Sequence, residues 1–354
     1  MPIQTALDSI NQNQGSPFGF KNRIINGNMA ISQGAAGATI TPATSSAYAT
    51  NYPVDRFEVI VGAASKLTTA QSTTAATGFN FSTLITSSSA YTVGAGEIFA
   101  IRHKIEGFNT SDLAFGTANA QKITLSFWTR SSLTGTFGGS IQNSAANRSF
   151  PFTYTISVAN TFEYKTITIL GDTSGTWIGA TNGIGITINF GLGVGATYSG
   201  TANAWAGADY RSATSATSVV ATNGATFFVT GVQLEKGSTA TSFDYRPYSA
   251  ELAMCQRYYR QVGVGIGAAS TTSSLSFNVD HLSMRATPSY TATANLGFTD
   301  WYASNPTTSN RTININANTA DYGNINSLTF SGLTVGRVFG IQPQIAAIFA
   351  SAEL

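Results

Sequence analysis

GVQLEKGSTATSFDYRPYSAELAMCQRYYR, Gly231–Arg260, is the stretch on which the fold turns. It opens with the look of a strand, passes through a polar Gly-Ser-Thr turn at Gly237–Thr239, and stays extended past Pro247. There the period changes. Leu252, Cys255 and Tyr258 or Tyr259 recur at i, i+3 and i+6 or i+7, which predicts a helix over 249–260 with Leu252 on its buried face. Ser249 or Pro247 marks the start, Glu251 suits the positive first turn, and Arg257 and Arg260 suit the negative last turn. No other segment of the 354 residues combines period, cap and dipole-matched charge. One helix is therefore expected between two β-rich blocks.

Working outward towards the amino end, residues 21–248 read as many short strands between Gly, Asn, Ser and Thr turns. Ile123, Leu125 and Phe127 alternate with Thr124, Ser126 and Trp128, which puts Trp128 on the second face. Lys165, Ile167 and Ile169 alternate with Thr166, Thr168 and Leu170; Ile184, Ile186, Ile188 and Phe190 alternate with Gly185, Thr187 and Asn189. A further strand starts at Thr226 and leads into the junction. One apolar face per strand is what two packed sheets require, so a jelly-roll β-sandwich is the predicted architecture. GLGVGAT (Gly191–Thr197) lacks the lysine of a phosphate loop and reads as a turn between strands. Residues 1–20 are polar and Gln/Asn-rich, either a frayed terminus or an arm for docking.

Towards the carboxy end, VGVGIGAAS (Val262–Ser270) reads as a flexible hinge or loop. Apolar alternation at Leu275, Phe277 and Val279, and at Ile313 and Ile315, then predicts a small antiparallel β-domain within 261–354. The expected class is all-β: a sandwich, a short helix and a small second domain.

Composition narrows the function. Only 10% of residues are charged, against roughly 25% in ordinary soluble proteins, while 42% are hydrophobic, enough for cores. A net charge of +2 without a basic run argues against nucleic acid. One cysteine excludes an intrachain disulfide, and Cys255 is expected as a buried apolar side chain. No signal peptide and no membrane-inserting run of apolar residues is read. The two histidines, His103 and His281, have no carboxylates or cysteines at ligand spacing, so neither metal nor cofactor is expected. No G-x-S-x-G elbow occurs, and no pair among the sixteen acidic residues is singled out for glycoside hydrolysis. Asp55 and Arg56, Glu235 and Lys236, and Asp244 and Arg246 read as structural charges.

Three segments carry a resemblance: NRIINGNMAISQ (Asn22–Gln33), YPVDRFEV (Tyr52–Val59) and GVQLEKGSTATSFDYRPYSAELAMCQRYY (Gly231–Tyr259). They resemble a family of bacteriophage virion proteins, tail-fibre and head-fibre proteins with carbohydrate-binding-like jelly rolls. The aromatic after Asp-Arg, often Trp in that family, is Phe57 here, and Met29-Ala30 stand where an aromatic is frequent. Weaker matches run through ITLSFWTR (Ile123–Arg130), GATYSGTANAW (Gly195–Trp205) and MRATPSY (Met284–Tyr290). The resemblance implies a non-enzymatic fibre or spike in the virion that attaches to host surface polysaccharide. It also admits a capsid decoration or head-fibre protein, or a depolymerase tailspike. It implies docking to other virion proteins through the amino-terminal arm, and a homotrimer.

Sugar binding needs exposed aromatics to stack on pyranose faces, with nearby polar groups to tell hydroxyls apart. Trp177, Trp205, Tyr210, Trp301 and Tyr302, in polar or turn-like surroundings, are the candidates. For assembly around a three-fold axis, Ile345, Ile348 and Phe349 are candidate contacts that a monomer would expose.

Overall fold

A computed structural model of the chain describes residues 21–44, 51–269, 275–280, 283–292, 297–300, 306–308, 314–317, 322–327, 335, 338–342 and 348–354. The 1–20 arm, Trp301, Tyr302 and Ile345 lie outside these residues. Two compact units meet between Glu251 and Leu252, a boundary that falls inside the predicted helix.

The first unit is built from β1 (Phe57–Ile60), β2 (Leu67–Ser72), β3 (Ser82–Ser87), β4 (Ile98–Glu106), β5 (Ile123–Ser131), β6 (Gly135–Gln142), β7 (Ser149–Ile156), β8 (Glu163–Ile169), β9 (Ile184–Val194), β10 (Ser199–Gly200), β11 (Ser212–Ala213) and β12 (Thr226–Lys236). Ten of them form two five-stranded sheets, ordered β1-β4-β9-β6-β7 and β2-β3-β12-β5-β8. Every pairing within these two sheets is antiparallel. Strands from distant parts of the chain alternate in each sheet, as a jelly roll requires. The predicted apolar faces meet between the sheets: Ile123, Leu125, Phe127, Ile188, Phe190, Phe227 and Val229 are fully buried. Phe127 sits 5.0 Å from both Tyr154 and Phe190 in edge-to-face contacts, the geometry aromatic quadrupoles favour. GLGVGAT is not simply a turn. Its first four residues finish β9, and a single 3₁₀ turn follows at Ala196–Tyr198.

The three segments that carry the resemblance converge in a buried polar knot. Asn22 Oδ1 accepts from the backbone N–H groups of Ile24 (2.9 Å) and Leu234 (3.1 Å). Asn26 donates through Nδ2 to the carbonyls of Ile31 (2.8 Å) and Asp55 (2.9 Å), and accepts at Oδ1 from Ile31 N–H (3.0 Å). Asp55, itself 1% exposed, accepts from Gln33 through both carboxylate oxygens. Glu251 then takes the Asn26 N–H at 2.5 Å. Arg246 donates to the carbonyls of Asn22 and Ile24 and lies 3.5 Å from Glu251. Gly27 lets the backbones touch, because a Cβ there would lie 2.2 Å from the Val232 carbonyl oxygen.

The helix α1 is real but shorter than predicted, Tyr248–Gln256. Its buried positions are Glu251 and Cys255, whereas Leu252, expected on that face, is only half-buried. Helical bonding stops because later carbonyls have other donors. The Arg257 carbonyl takes Arg285 N–H (2.9 Å) and the Tyr258 carbonyl takes Ala352 N–H (2.7 Å).

In the second unit, the run expected to be a hinge or loop is, as far as Ala269, part of a strand, β13 (Tyr259–Ala269). Val262, Val264 and Ile266 alternate with glycines, a strand period that glycine content obscures. With β13 pair β14 (Leu275–Asp280), β15 (Ser289–Ala292), β16 (Gly297–Asp300), β17 (Pro306–Thr308), β18 (Asn314–Ala317), β19 (Tyr322–Ser327), β20 (Val338–Gln342) and β21 (Ile348–Ser351) in one antiparallel assembly. Phe349, expected to be exposed in a monomer, is 9% exposed and stacks on Tyr259 with centroids 5.1 Å apart. Phe349 pairs with Gln261 across β13 and β21, and its ring reaches Tyr259 diagonally, two positions along the same face. Ile348 lies on β21, but its side chain is outside the described residues.

Asn26→Ala removes three side-chain hydrogen bonds and leaves Ile31 N–H without its acceptor. We expect a loss of roughly 2–4 kcal/mol, measured as a lower urea midpoint. An unchanged midpoint would refute the knot's structural role.

His103 is 1% exposed, with its ring 4.7 Å from Phe57. Burial, and then the nearby Arg56 charge, hold its pKa well below the ordinary imidazole value. The unfolded chain takes up the proton first as pH falls through about 6.5. Stability is therefore full above that pH and declines below it, by at most about 1.4 kcal/mol per pH unit. Urea midpoints at pH 7.5 and pH 5.5 should fall more steeply for the natural chain than for His103→Gln. Equal slopes would exclude this linkage.

Candidate functional site

The outer face of the β2-β3-β12-β5-β8 sheet carries the site. Because Leu125 and Phe127 point into the core, Ser126 and Trp128 point away from it. Register places Tyr164 of β8 beside Trp128 of β5, with ring centroids 5.3 Å apart and planes 45° apart. These rings form one side of a groove of about 420 Å³.

The other side is loop. Phe79, between β2 and β3, packs edge-on against Phe243 at 5.0 Å and lies 5.7 Å from Tyr245. Phe243 and Tyr245 are themselves 4.9 Å apart. Tyr245 donates its hydroxyl to the Gly78 carbonyl (2.8 Å) and so ties the two loops together, while its side chain remains 58% exposed. Thr77, Ser126, Ala240, Thr241 and Ser242 complete the lining with Gly231.

Gly231 stands where the β12–β5 register shifts, between Thr230 and Gln233. Its φ is +60°, and a Cβ would lie 2.6 Å from Phe79 and 3.0 Å from Trp128. The bulge thus lets two rings lie close over bare backbone. Beneath the rim, Glu235 is 4% exposed. It accepts from Thr241 Oγ1 (2.5 Å), Thr241 N–H (3.0 Å) and Gln233 Nε2 (2.8 Å). Gln233 Oε1 in turn accepts Asp244 N–H (2.8 Å). The 240–245 loop is therefore held from inside the sheet.

No carboxylate lines the groove, so paired acid chemistry has no side chains there. The buried Glu58 on the other sheet lies between Arg102 (2.7 Å) and Lys104 (3.7 Å). Burial, and then the Arg102 charge, lower the Lys104 pKa to about 8. Among the described residues, no group of three or more His, Cys, Asp or Glu side chains could hold a metal ion.

Trp177 and Trp205, singled out in the sequence, lie elsewhere. They do come together, 5.5 Å apart, but around Phe115 at the edge of the core. Their indole N–H groups are taken by the Ser174 and Leu170 carbonyls, and the Arg148 guanidinium, paired with Asp172 at 2.6 Å, sits 6.0 Å from Trp205. Tyr210 is half-buried, its ring where a Cβ of Gly200 would be. Trp301 and Tyr302 fall outside the described residues. Trp128 lies on the second face, as its alternation in β5 predicts, whereas nothing in the sequence spacing joins Phe79, Tyr164, Phe243 and Tyr245 to it. Tyr164 alternates openly with the core side of β8, which was the available signal.

No protein-family model matches the chain, and no curated protein matches it. Solved structures give distant likenesses. One is the enzymatically active domain of bacteriophage CBA120 tailspike protein 4, at 14% identity and a TM-score of 0.31, over 61% of this chain and 21% of that one. The chain thus spans about a fifth of that tailspike chain. Another is the family 11 carbohydrate-binding module of a Clostridium thermocellum cellulosomal cellulase, at 10% identity and a TM-score of 0.27, over 53% of this chain and 92% of the module. A third is TmCBM61 bound to β-1,4-galactotriose, at 10% identity and a TM-score of 0.29, over 61% and 99%. TM-scores this low do not define a shared fold; the description of the sandwich rests on its own strand order and register.

Gly231→Ala meets both a disfavoured φ and two rings. We expect a loss of about 1–2 kcal/mol together with an altered near-ultraviolet tryptophan signal as Trp128 moves. An unaltered spectrum would show that the bulge does not set the ring's position.

Proposed function

We propose that this chain is a non-enzymatic virion protein, a fibre or spike component that binds a host-surface glycan in the aromatic groove of its first unit. The observation that carries the reading is the groove's chemistry. Exposed aromatic faces meet hydroxyl-bearing side chains in a concave site that lacks a carboxylate pair. Sugar rings have apolar C–H faces and hydroxyl edges, and such a lining serves both. The virion assignment rests on the three motif segments, which build the knot and the groove's loop wall. Residues 1–20 act as the docking arm and the working form is a homotrimer. Phe349, covered within its own unit, is not an assembly contact in this reading.

Binding of the full-length protein to a panel of bacterial surface polysaccharides tests the function. We expect at least one to bind, and Trp128→Ala to weaken it about tenfold, equivalent to roughly 1.4 kcal/mol for a stacked ring. Trp177→Ala should leave affinity unchanged in protein that remains folded. No binding at all, or binding indifferent to Trp128, would sink the proposal.

A further inference from the structure

We infer that the groove selects an uncharged glycan, taken as a single chain or branch of one or two sugar rings; this rests on the glycan-binding reading above. Charge is the first ground. The lining side chains are aromatic, hydroxyl-bearing or aliphatic and none of them is charged; of the charged groups nearby, Lys21 donates to the Ser242 carbonyl at 2.5 Å. Glu235 is sealed under Thr241 by three hydrogen bonds. Arg246 is turned into the knot, donating to two backbone carbonyls, and Asp244 lies 3.5 Å from it. Arg130, the next outward residue of β5, lies over Phe228 at 5.0 Å and Phe162 at 5.9 Å. A uronic acid or phosphorylated sugar placed against this lining would lose water without gaining a cationic partner among the lining residues. A neutral sugar incurs no such penalty.

Shape is the second ground. Trp128 and Tyr164 are tilted by 45°, Phe79 and Tyr245 by 32°, and Phe79 and Phe243 by 80°. No common plane runs through these rings, so the flat face of an ordered polysaccharide cannot lie on them together. A single chain can turn from one ring to the next. The volume, about 420 Å³, lies near the lower end of the roughly 300–1,000 Å³ typical of small-molecule sites. That suits a short stretch of glycan.

The test uses the full chain and three probe sets: soluble neutral polysaccharides (dextran, mannan, galactan), soluble acidic ones (alginate, hyaluronan) and insoluble crystalline cellulose. We expect binding within the neutral set, weakened about tenfold by Trp128→Ala and by Tyr164→Ala. Raising salt from about 50 to 500 mM should change that affinity less than about twofold, since no ion pair is screened. The Tyr164 variant alters an exposed ring and guards against a Trp128 variant that fails to fold. Preference for the acidic set, lost in both variants and at high salt, would overturn the uncharged-ligand inference and leave the groove as a glycan site. Capture by cellulose, lost in both variants, would overturn the single-chain inference alone. Binding by no probe, or binding that neither variant alters, would overturn the glycan reading and this inference with it.

Discussion

The buried amide of Asn26 is the constraint on which the first unit depends. It satisfies backbone groups of Ile31 and Asp55, and its own N–H is held by Glu251 from more than two hundred residues away in the chain. Such a group is costly to bury unless each donor and acceptor finds a partner. Those partners exist only when three sequence segments are assembled together. Those bonds fix the 22–33 segment, the residue pair before β1 and the first turn of α1 in one arrangement. Gly27 enforces the same arrangement sterically through its approach to Val232.

That network also decides where the groove's loop wall stands. From Phe243 to Arg246 the chain is extended, and its alternation separates two tasks. Phe243 and Tyr245 line the groove. Asp244 and Arg246 belong to the supporting side, with the Asp244 N–H on Gln233 and the Arg246 guanidinium on the carbonyls of Asn22 and Ile24. A period-two segment outside any sheet has thus been used as a strand would be, one face for packing and one for solvent. The fixed Arg246 clamp makes Tyr245 a placed side chain despite its exposure.

Legibility in the sequence followed the same division. Strands with clean alternation, such as 123–131 and 184–194, could be read because burial of one face is a local pattern. The helix was recognisable, but its end was not, since the donors that capture the Arg257 and Tyr258 carbonyls come from Arg285 and Ala352. Glycines at alternate positions disguised β13 as a hinge or loop. The groove was harder. Trp128 and Tyr164 are neighbours through strand register, and Phe79 meets Tyr245 through loop packing, neither of which leaves a spacing to find. Trp177 and Trp205 have polar or turn-like sequence surroundings, yet polar neighbours in sequence do not prevent their rings from meeting around Phe115.

A groove built this way divides its lining into parts that can change and parts that cannot. Phe243 and Tyr245 are attached to the segment that clamps Asn22 and Ile24, and Gly231 is held to glycine by its φ and by two rings. Altering these disturbs the fold as well as the site. Trp128, Tyr164, Thr77 and Ser242 are different: each projects from an element whose backbone bonds do not involve that side chain's outer atoms. Their replacement changes the surface offered to a ligand while the sheet register and the knot persist. Under the proposed glycan reading, ligand preference is therefore set mainly from the β5–β8 side and the loop rim, against a wall that the folding network keeps constant.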